Sequence, residues 1–119
     1  MRAVVVDSYG PPEVAAIREV AVPRPGRGEV LVRVVAAAVT SGDARMRSGV
    51  FPPGFAVPGR LAMGIRGPRR RVLGAVFSGE VAALGEGASG FAVGERVSGM
   101  TGARGGAHAE HLVTSAERL

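Results

Sequence analysis

Two histidines, a hydroxyl-and-carboxylate turn and a glycine loop are the places in this chain where residue type and spacing invite chemistry. A pair of imidazoles could bind a metal or move a proton near neutral pH. His108 and His111 are three residues apart, however, and on a strand that spacing points them to opposite faces, so both are read as structural or surface groups rather than joint metal ligands. Thr40-Ser41-Gly42-Asp43 sets two hydroxyls and a carboxylate ahead of a short helical stretch, residues 44–48, stopped by Gly49. Ser41 and Asp43 offer an oxygen to cap the free backbone N–H groups of that helix, and the same oxygens can also meet a ligand. Thr40 is equally a plain strand-end residue, and Arg45 and Arg47 are of a type usually exposed on a short helix. Gly85-Glu86-Gly87-Ala88-Ser89-Gly90 has the G-x-G-x-x-G spacing of a phosphate cradle. No parallel strand-to-helix crossover follows it, so it reads as a turn between strands.

Composition narrows the chemistry further. There is no cysteine, which excludes disulfides, thiolate nucleophiles and a tetrathiolate zinc lobe. All 15 basic residues are arginine and the net charge is +5, with Arg66, Arg69, Arg70 and Arg71 forming a local basic cluster. Aromatic residues are only 4% of the chain, too few for the stacking that single-stranded nucleic acid needs, so the cluster reads as a solvated face and no nucleic-acid partner is expected. No apolar run approaches the roughly 20 residues of a membrane span. Met1-Arg2 leads straight into Ala3-Val4-Val5-Val6 without a cleavage site, as expected of a strand opening a cytoplasmic protein.

At 119 residues and 46% hydrophobic content, the chain is expected to be one folded domain. Strands are expected at residues 2–7, 15–22, 29–38, 76–84, 96–100 and 107–113, separated by turns rich in its 19 glycines and 8 prolines. In the third, Val30, Val32 and Val34 share one face and Leu31, Arg33 and Val35 the other. Val81 and Leu84 of the fourth are expected to face the core, with Gly79 and Gly85 permitting close backbone approach and Gly94 a positive φ. Residues 51–71 lack periodicity and are expected to be a long loop with room for one helical turn, in which Phe51, Phe55, Leu61 and Met63 could wall an apolar substrate pocket or simply pack. Ser115-Ala116-Glu117-Arg118-Leu119 looks like the start of a helix. Six short strands with one or two short helices, and no regular strand–helix alternation, predict a mainly β, partly open antiparallel barrel.

The run from Leu73-Gly74-Ala75-Val76-Phe77-Ser78-Gly79-Glu80-Val81 through Gly85 to Gly90-Phe91-Ala92-Val93-Gly94-Glu95-Arg96-Val97 resembles the signature of the medium-chain dehydrogenases/reductases. The opening Met-Arg-Ala-Val strand, Pro23-Arg24-Pro25 before Gly28-Glu29-Val30-Leu31-Val32, and Ala36-Ala37-Ala38-Val39-Thr40-Ser41-Gly42-Asp43 agree in order. Gly106-Ala107-His108-Ala109-Glu110-His111 looks like the family's glycine-then-aromatic strand, with histidine in the aromatic positions. The resemblance implies the GroES-like, alcohol dehydrogenase-type N-terminal domain over residues 1–119, with the nucleotide-binding domain absent. In zinc-dependent members a cysteine falls where this chain has Thr40, and the histidine of a Gly-His-Glu motif where it has Ala75. Neither residue here can ligate zinc, so a zinc-free member of the quinone oxidoreductase type is implied.

Such members pass hydride from NADPH (or NADH) directly to a quinone, enone or related carbonyl substrate. By position, Thr40, Asp43 and Arg45 are the catalytic candidates, and Thr40, Ser41 and Arg45 the cofactor-binding ones. Relatives often carry an asparagine where Thr40 stands and a tyrosine where Arg45 stands, so this chain departs from them at both. The cofactor's polyphosphate anchor would belong to the missing domain. Assembly into a homo-oligomer is compatible with the resemblance, and no membrane partner is implied. A stand-alone GroES-like binding module or pseudoenzyme is the alternative.

Overall fold

The computed structural model describes residues 1–49, 54, 57, 58, 61, 64 and 71–119. Among these, six segments form strands, β1 and β3 being valine-rich: β1 (Arg2–Val6), β2 (Ala15–Glu19), β3 (Glu29–Ala37), β4 (Val76–Leu84), β5 (Arg96–Met100) and β6 (His111–Ser115). Helix α1 (Ser41–Ser48) lies between β3 and β4, and 3-10 turns occupy Pro12–Val14, Gly102–Arg104 and Ala116–Arg118. All strand pairs are antiparallel. β1 pairs with β2 in one sheet, and the other runs β5-β4-β3-β6. The two sheets do not close into a barrel; single bridges, Ala3 to Ala109 and Val5 to Val72, connect β1 to the segments that precede β6 and β4. This is the mainly β, partly open GroES-like architecture expected. No helix among the described residues is long and apolar enough to cross a membrane.

Strand alternation builds the core. Val30 and Val32 of β3 are fully buried, Phe77 and Val81 of β4 meet them, and Ala107 and Leu112 close the cluster. Leu84, three residues from Val81, falls on the opposite face and is exposed, which corrects its expected place in the core. Gly79 has no room for a side chain: a Cβ there would lie 2.2 Å from the Arg33 carbonyl oxygen on the neighbouring strand. At Gly85 the same atom would lie 1.9 Å from the Gly26 carbonyl oxygen, and Gly94 adopts φ +91°. The glycines are thus spaced for the close approach and turn anticipated for them.

The last strand begins later than expected. Residues 107–110 are a connecting segment rather than a ladder, because Gly105 and Gly106 enter it at positive φ and its backbone bonds are shared among the Leu73–Gly74 turn, β1 and, from Val34 N to the Glu110 carbonyl, β3. The helix start expected at residues 115–119 is a single 3-10 turn at Ala116–Arg118, capped by the Ser115 hydroxyl, which accepts from Glu117 N. Phe51, Phe55, Met63, Arg66, Arg69 and Arg70 lie outside the described residues; Leu61 is exposed, and Arg71 is exposed beside Asp7 at 3.5 Å.

Glu110 fastens β1 to this connecting segment. Its carboxylate accepts from Arg2 N at 2.6 Å, while its own N–H donates to the Arg2 carbonyl at 3.1 Å. The Arg2 backbone N–H holds the Glu110 carboxyl below its ordinary 4.5 against the opposing effect of burial, with the charges of Arg2, the terminal amine and His111 each contributing less. A depressed carboxyl contributes stability that is complete above the unfolded value and is lost as pH falls through the folded one. Thermal midpoints measured downward from about pH 4.5 should therefore fall less steeply in Glu110→Gln than in the parent; parallel curves would count against this role.

Candidate functional site

Helix α1 is too short and too polar to be held by apolar packing, for Asp43 is its one buried residue. Its ends are fixed chemically instead. Thr40, in extended conformation, is the N-cap: its Oγ accepts from Asp43 N at 3.2 Å, and the Asp43 carboxylate accepts from Thr40 N at 2.9 Å, completing a reciprocal capping box. The cap is thus Thr40, not Ser41, with Asp43 as its partner one turn on. Gly49 closes the helix at φ +70°, its N–H donating to the Arg45 carbonyl at 2.9 Å. At this end Gly10 N donates to the Arg47 carbonyl at 3.0 Å, and the Arg47 guanidinium donates back to the Gly10 carbonyl.

Asp43 is the centre of the site. Only 8% exposed, it accepts from Thr40 N and, at 3.1 Å, from the Thr40 hydroxyl through Oδ2, and from Gly74 N at 3.2 Å through Oδ1. A buried carboxylate needs such donors, and the N-terminal end of a helix dipole also favours its charge. One side chain therefore ties together Thr40 and the Gly74-Ala75 segment. His108 completes the cluster, with Nε2 3.0 Å from the Ala38 carbonyl oxygen and 3.8 Å from Asp43 Oδ2. Since a carbonyl only accepts, Nε2 carries the proton. No three His, Asp or Glu side chains among the described residues converge as a metal site.

The helix divides the candidate residues between two faces. Ser41 and Arg45, one turn apart, are exposed. Asp43 and Arg47, also one turn apart, line a cavity of about 530 Å³ whose other walls include Val4, Val6, Val39, Leu73 and His108. The structure thus brings Thr40 and Asp43 together and places Arg45 on the other side from Asp43. Arg47, expected to be solvated like Arg45, is half-buried at the cavity. From Val39 at the cavity wall back to Val35, residues 35–39 form an unbroken exposed apolar run, with Val35 63% and Val39 81% exposed, that leads directly into Thr40.

Sequence reasoning missed His108 and Arg47. The three-residue spacing of the histidines was informative only if both stood on a strand, and His108 precedes β6. For Arg47 the available signal was its four-residue spacing from Asp43, which places both on one helical face.

Residues 26–119 match the family model of the alcohol dehydrogenase GroES-like domain. A quinone oxidoreductase of Pseudomonas aeruginosa is 38% identical over 112 residues, which is 94% of this chain and 30% of that protein. The solved structure of an NAD-dependent alcohol dehydrogenase superposes with a TM-score of 0.81 at 32% identity, over 99% of this chain and 38% of that one. For the quinone oxidoreductase from Coxiella burnetii the TM-score is 0.80 at 29% identity, over 99% and 35%. The chain spans about a third of the length of these relatives.

Proposed function

Because the chain belongs to the alcohol dehydrogenase GroES-like domain family, and to the quinone oxidoreductase type of the medium-chain dehydrogenases/reductases, we propose that it is the substrate-side domain of a zinc-independent, NAD(P)H-dependent, cytoplasmic reductase of quinones, enones or related carbonyls. The observation that carries the reading is the fixed Thr40–Asp43 turn standing between an exposed apolar run and an apolar cavity. An exposed run of that kind is suited to covering by a second domain, and an apolar cavity with few polar groups is suited to a flat, hydrophobic acceptor.

The relative named for its NAD dependence supports a nicotinamide cofactor, which when bound would supply hydride to the acceptor. The residues fit its nicotinamide end. Ser41 and Arg45 present exposed donors on one face of α1, and the capping box leaves the Ser41 and Gly42 N–H groups of the first turn untaken. These groups would orient the cofactor and offer donors where negative charge develops on the acceptor oxygen. Thr40 acts differently, because its hydroxyl hydrogen is directed to Asp43 Oδ2. It holds the turn, donating to the Asp43 carboxylate and accepting from Asp43 N. Asp43 keeps that turn in register with Gly74, and the apolar walls exclude water. The zinc-free reading rests on Thr40 and Ala75, neither of which can ligate the metal.

Joined to a compatible nucleotide-binding domain, the chain should support NADPH-dependent quinone reduction that survives dialysis against a chelator. By itself it should show no saturable NADPH binding at micromolar concentration in calorimetric titration. A few hydrogen bonds netting about 1 kcal/mol each do not offset an association cost of at least about 4 kcal/mol. A joined protein that binds NADPH yet reduces no quinone, enone or carbonyl would overturn the proposal.

A further inference from the structure

We propose that His108 is a positioning residue, whose ring N–H holds the Ala38 carbonyl and thereby fixes the turn that presents Thr40 and Asp43. Its part in catalysis rests on the function proposed above for those two residues; its part in holding the turn does not. Strand β3 loses β6 as a neighbour after the pair Arg33–His111, and its tether to β4 ends with the bond from Ala38 N to the Val76 carbonyl at 3.0 Å. The next backbone N–H with a described partner is that of Thr40, donated to Asp43. Between ladder and cap, Ala38 and Val39 are exposed and bury nothing that would hold them. The 3.0 Å bond from His108 Nε2 to the Ala38 carbonyl bridges this gap.

The ring is delivered from a rigid backbone. His108 N donates to the Leu73 carbonyl at 2.9 Å, and its own carbonyl accepts from Val4 N at 2.9 Å. It also occupies space that Gly74 leaves open: a Cβ on Gly74 would lie 2.6 Å from His108 Cδ2. Gly74 is itself the residue whose N–H binds Asp43 Oδ1. The imidazole therefore touches both strands of the polar knot, with packing against Gly74 on one side and a directed hydrogen bond on the other. Packing and hydrogen bonding can be separated by substitution.

His108→Phe keeps a ring against Gly74 and removes the donor, whereas His108→Gln places an amide N–H near the position of Nε2 and removes the ring. Amide hydrogen exchange of the chain, followed by nuclear magnetic resonance, reads the consequence at Thr40 and Asp43, with Val32 and Val81 as references in the central strands. Exchange at Thr40 and Asp43 should accelerate about fivefold in the Phe variant and stay within about twofold of the parent in the Gln variant, with the references unchanged. His108→Met, also without a donor, should behave like Phe and serves if Phe does not fit. Unchanged exchange in the donorless variants, or equal acceleration in Gln, would overturn the inference. In the joined enzyme, the Phe variant should lower kcat about fivefold with KM within about twofold, and Gln should restore it. If the exchange pattern holds and turnover does not follow, His108 still positions the turn, and the function assigned to Thr40 and Asp43 is what fails.

Discussion

Gly79→Ala is expected to lower the thermal midpoint by on the order of 12 °C, corresponding to about 3 kcal/mol for a domain of this size. The cause lies in how closely β3 and β4 approach. The added methyl would sit 2.2 Å from the Arg33 carbonyl oxygen and 2.9 Å from a Val32 methyl. The first obstacle is backbone in a sheet flanked on both sides, so no rotamer change relieves it. Moving β3 would displace Val30 and Val32, which are fully buried. Ser78→Ala, on the adjacent and exposed position of the same strand, is the control, and its effect should stay within about 0.5 kcal/mol. A midpoint for Gly79→Ala within about 3 °C of the parent would contradict the close approach of the two strands.

Asp43→Ala should cost about 3 kcal/mol in denaturant unfolding, far more than an ordinary helix-cap replacement of about 1 kcal/mol. Removing the carboxylate deprives Gly74 N, Thr40 N and the Thr40 hydroxyl of their acceptor, and the Gly74 bond is buried. The Gly74 N–H then remains buried without a partner, and the two Thr40 donors, only partly buried, lose theirs. Asp43→Asn keeps one acceptor oxygen but turns an NH2 toward a second donor, so a loss of about half that size is expected. The order Ala below Asn below parent is the diagnostic result. Equal losses for both would assign the effect to charge alone, and negligible losses would mean that Gly74 and Thr40 are held by something else.

The elements most legible in the sequence were those whose signals are local. Strands β4 and β5 stand at the expected residues because Gly94, at φ +91°, imposes the turn between them through backbone conformation, whatever surrounds it. Helix α1 was legible for the same reason at its end, since Gly49 supplies a left-handed stop. Its start lies three residues earlier than expected, at Ser41 rather than residue 44, because the cap falls on Thr40 rather than on Ser41 or Asp43. The choice was made by Asp43, whose carboxylate returns to the Thr40 N–H. What could not be read was contact between distant segments. His108 meets Ala38 across 70 residues, and Gly74 meets Asp43 across 31. Neither pairing leaves a periodic trace. Family resemblance located Thr40 and Ala75 as related positions, but the carboxylate that connects their neighbourhoods emerged only from three-dimensional geometry.

The central place of β3 also sets a schedule for folding. Its partners arrive from very different distances along the chain: the pair Glu29–Ser115 joins residues 86 apart, while β4 and β5 form a hairpin from neighbouring segments. Closing a long loop is entropically costly before its contacts form, so the hairpin can nucleate early whereas docking of β6 must come late. Until Leu112 reaches Val30 and Val32, the apolar face of β3 has no complete cover. A nascent chain would therefore carry that face incompletely covered from the emergence of β3 until β6 follows it, making the unpaired edge of β3 a segment in need of a chaperone.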